Sequence, residues 1–217
     1  MSEIEVAIAG GHGQIARLLG KRLADEGHNV LGLIRNPDQE ADLHAAGIEP
    51  VICDLEGDDD LAAAVQGADA VVFAAGAGPG SGAERKQTMD LGGAVKLIEA
   101  AKETGIRRYL MVSSRGAGNP PPPGEGDVFG EYLRAKGAAD RALEASGLEY
   151  TIVRPGGLTD DPPTGRVELG SGFDRGTIPR ADVAAVLHAC LFRPHTIDWT
   201  FDVISGETPI DEALESL

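Results

Sequence analysis

The chain has 217 residues, with 35 Asp and Glu against 19 Lys and Arg, a formal net charge of −16. That length suits one α/β domain with a continuous core, and a composition of 42% apolar and 25% charged residues excludes disorder and coiled coil. The acidic balance argues against nucleic acid or an anionic membrane surface as partner, and no run of about 20 apolar residues is present to span a bilayer.

Short β-branched runs alternate with Ala- and Leu-rich helical stretches, the pattern of βαβ units. Residues 4–9 read as strand one and break into Gly10-Gly11-His12-Gly13. Residues 14–26 read as a helix with Ile15, Leu18, Leu19 and Leu23 on one face, closed by Gly27. Strand two is expected at 30–34, a helix at 39–46 and strand three at 49–53. A helix at 59–66, strand four at 70–74, a Gly-rich loop at 76–82 and a helix at 89–104 follow. Strand five is expected at 107–113. Residues 115–128, with four prolines at 120–123, are expected to be a mobile loop without regular structure. A helix at 130–146 leads to strand six at 150–153, and 156–178 reads as loop with room for a hairpin. A helix at 180–192, a strand at 200–203 and a helix at 210–217 complete the chain. The expected fold is a single-domain α/β, Rossmann-like, doubly wound parallel sheet over residues 1–217. Residues 155–178 and 195–217 are expected to form a small substrate-side region.

The start of the chain lacks the basic and apolar regions of a signal peptide. Cys53 and Cys190 sit in apolar contexts without metal-ligand spacing. Free buried thiols and a cytoplasmic location are expected. His28, His44, His188 and His195 form no metal spacing either, so no metal site is expected. Trp199 is expected to serve packing.

Gly11-His12-Gly13-Gln14-Ile15-Ala16 matches G-x-G-x-x-G/A, follows a strand and opens a helix. Such glycines let the backbone turn tightly and approach a diphosphate, which the helix N-terminus stabilises. Ala16 leaves room for close packing of helix on strand. The His12 side chain is expected to approach phosphate or point to solvent. At the end of strand two stands Arg35, 22 residues after Gly13, and the first carboxylate beyond it is Asp38. A 2′-phosphate gains a charge-assisted contact from such an arginine, so NADP is expected rather than NAD. Asp54 and Leu55 follow strand three, where adenine would rest; Asp54 either meets its amine or caps a helix.

Tyr132 and Lys136 stand four residues apart in the 130–146 helix and project from one face. A phenol titrates near pH 10 and is a poor acid–base group until a neighbouring ammonium stabilises its anion. Lys136 is the expected source of that charge. Ser113 and Ser114 end strand five and could hydrogen-bond the substrate oxygen. The plain alternative is an amphipathic helix with a surface Lys and a half-buried Tyr.

With these features together, the chain resembles the short-chain dehydrogenase/reductase superfamily, in particular its small atypical and extended members of NAD(P)-binding, epimerase/dehydratase-like type. The carriers are the 10–16 turn, Arg35, Asp54-Leu55, Ala74-Ala75-Gly76, Val112-Ser113-Ser114, Tyr132 with Lys136, Val153-Arg154-Pro155-Gly156 and the 178–184 segment. The resemblance implies that Ala74 and Ala75 line the cofactor and that Lys136 also binds the nicotinamide ribose. It further implies that Ser114 and Tyr132 handle the substrate oxygen, while Pro155, Gly156, Gly157 and Leu158 touch the nicotinamide end. Two departures stand out. The family's Asn-Val-x-Gly stretch reads Asp90-Leu91-Gly92-Gly93, and the region after strand six is short for a nucleotide-sugar. The expected function is an NADP-dependent oxidoreductase acting on a small carbonyl or alcohol, as monomer or homodimer. The alternatives are an NAD-dependent sugar epimerase or dehydratase, and a non-catalytic NADP-sensing regulator.

Overall fold

Val6, Ala7, Ile8 and Ala9 are all buried, which makes β1 (Glu5–Ala9) a central strand covered on both faces. The structure, a computed structural model, describes residues 2–217 apart from 79, 125 and 126. β1 pairs in parallel with β2 (Asn29–Ile34) on one side and β4 (Ala70–Phe73) on the other. Outward from β2 lies β3 (Glu49–Ile52); outward from β4 lie β5 (Arg108–Val112), β6 (Glu149–Pro155) and β10 (Trp199–Ser205), all parallel. The chain therefore reverses its direction of growth between β1 and β4, and the crevice at that switch point is where doubly wound sheets bind ligands. This is the Rossmann-like fold that the alternation predicts.

Two helical layers bury the sheet. α1 (Gln14–Asp25), α2 (Glu40–Ala45), α7 (Arg180–Leu191) and α8 (Ile210–Glu215) pack on one face through Leu19, Leu23, Leu43, Val186, Leu187 and Leu214. α3 (Leu61–Val65), α5 (Ala94–Thr104) and α6 (Val128–Glu144) pack on the other through Val65, Leu97, Ile98, Ala139 and Leu143. α1 comes close to the sheet because of Gly20, where a Cβ would stand 2.5 Å from Ile48 Cδ1. Leu18 departs from expectation: it lies on the flank of the α1 stripe and is 43% exposed.

Other differences are local. Residues 156–178 do not form a hairpin. β7 (Gly157–Thr159) and β9 (Thr177–Pro179) pair in parallel with each other, while β8 (Arg166–Gly170) between them crosses to the main sheet and runs antiparallel to β10. β11 (Thr208–Pro209) extends that edge. The helix expected at 89–104 starts earlier, as one turn of α4 (Ala83–Arg85) followed by a π-helical stretch, Lys86–Gly93, that runs into α5. α6 begins at Val128 rather than 130, because the Asp127 carboxylate accepts from Gly130 N at 2.8 Å and caps it. Residues 115–124 hold neither helix nor strand; residues 125 and 126 of that expected loop, and 79 of the 76–82 loop, lie outside the described residues. Trp199, expected to serve packing, stands at the first position of β10 and is 41% exposed. Among the described residues no helix is long and apolar enough to cross a membrane.

Candidate active site

At the C-terminal ends of β1, β4 and β5 lies a cavity of about 1010 Å³. Its floor is the glycine turn. Gly10 has φ +79°, and a Cβ there would stand 2.7 Å from Ala75 Cα. A Cβ at Gly11 would stand 2.7 Å from Gly32 Cα, and Gly11 N donates to Leu33 O at 2.9 Å. The turn closes through Gly13 N on Gly10 O at 2.8 Å. α1 then starts without a side-chain cap and without an acidic residue in its first turn. Its leading N–H groups and its positive dipole end are left for an anion, which fits a diphosphate. His12 does not point freely to solvent: Nε2 lies 2.8 Å from Asp42 Oδ2, and this hydrogen bond holds the Asp42 carboxyl below the usual range.

Arg35, Asp54 and Leu55 line one end of the cavity. Asp54 shapes its own turn: Oδ1 accepts from Glu56 N at 2.9 Å, and Asp54 N donates to Asp59 at 2.6 Å. The helix cap is Asp60, not Asp54. Arg35 Nη1 lies 3.4 Å from Glu56 Oε2. The same oxygen receives Arg85 Nε and Nη2, each at 3.1 Å, and Thr88 Oγ1 donates to Oε1 at 2.6 Å. Burial would raise the Glu56 pKa, but the bonds from Thr88 and Arg85 and the two positive charges outweigh it and hold it below its ordinary value.

At the other end stand Ser113, Tyr132 and Lys136. Lys136 is buried, and Nζ donates to Val112 O at 3.1 Å and Ala75 O at 3.4 Å while lying 3.3 Å from Asp90 Oδ1. Its ammonium is thus held by a carboxylate and two carbonyls. The amine over the Tyr132 ring is Lys86, with Nζ 5.3 Å from the ring centroid and 3.0 Å from Gly78 O. Phe129 lies beside that ring at 6.0 Å between centroids. Ser113 Oγ donates to Asp140 Oδ2 at 2.9 Å, and Arg154 Nε donates to the same oxygen at 2.9 Å. Burial raises the Asp140 pKa, opposed by Arg154 and Ser113.

Of the residues singled out from sequence, the cavity wall includes Gly10, His12, Gly13 and Ile15 of the turn, Ala74, Ala75 and Gly76 after β4, Val112, and Leu158 of β7. Gly11, Gln14, Ser114, Pro155, Gly156 and Gly157 are outside that wall. Ser114 Oγ turns to Arg115 O, Gly156 N to Val203 O and Gly157 N to Gly176 O. Sequence reasoning did not single out Glu56, Arg85, Lys86, Phe129 or Asp140 and saw Asp90 only as a departure. Asp140 carried a signal: it follows Lys136 by four on α6, as Lys136 follows Tyr132. Among the described residues no group of three or more His, Cys, Asp or Glu is placed to hold a metal ion.

The sequence profile of the NAD(P)H-binding family matches residues 10–194. The chain belongs to the NAD(P)H-binding family. A Bacillus subtilis (strain 168) relative described as an uncharacterized sugar epimerase, YhfK, is 43% identical over 99% of this chain and 100% of its own. A solved Bacillus halodurans protein, a putative NAD-dependent epimerase/dehydratase, superposes with a TM-score of 0.91 at 40% identity, covering 99% of this chain and 100% of that one. The oxidoreductase ylbE from Lactococcus lactis superposes with a TM-score of 0.85 at 27% identity, covering 99% and 96%. Family membership and the uncapped glycine turn agree: residues 10–194 form an NAD(P)-binding domain.

Proposed function

We propose that the protein is an NADP-dependent oxidoreductase of short-chain dehydrogenase type, exchanging a hydride with a small carbonyl or alcohol. One observation carries this: a single cavity connects the open N-terminus of α1 to Ser113, Tyr132 and Lys136. The glycine turn and α1 would hold the diphosphate, and Arg35 beside the adenosine end supports NADP over NAD. Bound there, the dinucleotide supplies or accepts the hydride.

The remaining chemistry belongs to the chain. Tyr132 gives a proton to the substrate oxygen, or takes one from it. Ser113, which borders the cavity, takes the orienting role expected of Ser114. Its proton is directed at Asp140 Oδ2 here, and rotating the hydroxyl from that carboxylate to the substrate oxygen lets Ser113 donate to it while Tyr132 handles the transferred proton. Lys136, anchored on two carbonyls, keeps the floor of this end rigid and offers its remaining donor capacity to ribose. A cytoplasmic monomer or homodimer acting on a small molecule, without nucleic acid or membrane partners, accords with the charge of −16 and two buried thiols.

The test is to titrate NADPH and NADH and then assay a carbonyl panel with wild type and Tyr132→Phe. The proposal expects turnover to fall by at least about a hundredfold in the variant, the low end of general acid–base contributions of roughly 10²–10⁴. Equal turnover removes Tyr132 from the mechanism. The description of the Bacillus subtilis relative favours a second reading, a sugar epimerase that returns its hydride. Dinucleotide retained through purification, with no net consumption of NADPH, would select it.

A further inference from the structure

Two guanidinium groups from distant parts of the chain converge on one oxygen atom. Arg35, at the end of β2, and Arg85, in α4, both reach Glu56 Oε2, at 3.4 and 3.1 Å. Such convergence is an anion site, here filled by the protein's own carboxylate. Both arginines also line the cavity, and both are partly open to solvent. Thr88 fixes the other carboxylate oxygen at 2.6 Å, so Glu56 is positioned rather than loosely paired.

Building on the NADP reading above, we infer that Arg35 and Arg85 together form the clamp for the 2′-phosphate, and that Glu56 is its internal counter-ion and sets the selectivity between NADP and NAD. A ribose phosphate offers several acceptor oxygens and close to two negative charges, which suits two guanidiniums better than one carboxylate does. Arg35 is the partner that changes hands: its bond to Glu56 is the longer one and its side chain the more exposed. Thr88 and the Nε and Nη2 edge of Arg85 keep Glu56 in place while Arg35 turns to the phosphate, and Arg85 adds its charge and remaining N–H groups to the clamp. Glu56 then remains as a nearby negative charge, opposing the phosphate and leaving a plain 2′-hydroxyl unopposed. Selectivity follows from the balance of two cations against one anion. The low pKa of Glu56 keeps that anion charged throughout the neutral range.

Calorimetric titration tests this with NADPH, NADH, 2′,5′-ADP and 5′-AMP, on wild type, Glu56→Gln and Arg85→Gln. Gln at 56 retains the acceptor for Thr88 but removes the charge. Glu56→Gln should tighten NADPH and 2′,5′-ADP about two- to fivefold, the range of a partly exposed charge pair, and leave NADH and 5′-AMP unchanged. Arg85→Gln should loosen the 2′-phosphate ligands by a similar factor, and both effects should shrink at high salt. The inference is overturned if Glu56→Gln moves NADH and NADPH equally, leaves both unchanged, or weakens the 2′-phosphate ligands. Wild type that binds neither dinucleotide overturns the functional proposal and this inference together. Wild type that binds NADH alone, with Glu56→Gln gaining NADPH, overturns the NADP preference while supporting the role of Glu56.

Discussion

Asp90 Oδ1 and Lys136 Nζ lie 3.3 Å apart in a pair whose side chains are 0% and 4% exposed. Oδ1 makes no hydrogen bond of good geometry, so the contact is one of charge, while Oδ2 accepts from Ala77 N at 3.3 Å. Removing one member of a buried pair leaves an uncompensated charge and costs about 3–5 kcal/mol. Asp90→Ala and Lys136→Met should each lower stability by about that amount in urea unfolding. The double variant should lose clearly less than the sum. Additive losses would mean that the two groups do not compensate each other.

Gly11→Ala should destabilise and also weaken dinucleotide binding, because its Cβ meets the backbone of Gly32 in the neighbouring strand rather than a movable side chain. The expected cost is about 1–3 kcal/mol. Gly27→Ala is the control. It carries φ +87° with nothing within 4 Å, so it strains the α1 terminus without touching the turn. Melting should report a loss of about 1 kcal/mol there, with dinucleotide affinity intact. An unaffected affinity in Gly11→Ala would detach the turn from binding.

Both thiols should resist alkylation. Burial, reinforced by Asp59 and Asp54, pushes Cys53 up to about 11, and burial pushes Cys190 up to about 12. At pH 8 only about one Cys53 in a thousand is thiolate, and the thiolate is the nucleophile. Iodoacetamide with mass detection should label neither thiol at pH 8 on a timescale that labels the unfolded chain fully. Cys53 borders the cavity, so saturating dinucleotide should slow its labelling further while leaving Cys190 unchanged.

Phe129 is 66% exposed at the cavity wall beside Tyr132, although a ring of that size normally finds cover. Phe129→Ser should leave the melting temperature nearly unchanged, as surface substitutions do. For an apolar carbonyl substrate it should raise KM about fivefold, the loss of roughly 1 kcal/mol of ring burial. A polyhydroxylated sugar substrate would not distinguish the two proteins, which makes the pair a probe of substrate class.

The central parallel strands β1, β2, β4, β5 and β6 were legible because strands covered on both faces must be apolar runs, as in the fully buried Val71, Val72 and Phe73 of β4, whereas edge strand β3 has no buried residue. β8 was not, because only Val167 of its five residues is fully buried, and its pairing partner β10 comes more than thirty positions later. Periodicity also assigned Leu18 to the core, since it cannot tell the middle of a helical stripe from its flank. At the site, the Tyr132–Lys136 spacing was readable as local helix geometry. The carboxylate that holds Lys136 was not, because Asp90 reaches it from a π-helical stretch 46 positions earlier. Glu56 was hidden for the same reason: its meaning depends on Arg35 and Arg85, which only the tertiary fold brings to one atom.

The lone indole of the protein opens β10, a strand parallel to β6, so it stands at the rim of the sheet opposite the one where the glycine turn lies. Seven extended residues separate the two ends of that strand, roughly 20 Å. Its emission is therefore a reporter of global unfolding when the oxidised coenzyme is bound, since only the reduced nicotinamide absorbs where indole emits. Stability is then followed from Trp199 with oxidised coenzyme, and occupancy in a separate titration from the reduced nicotinamide itself.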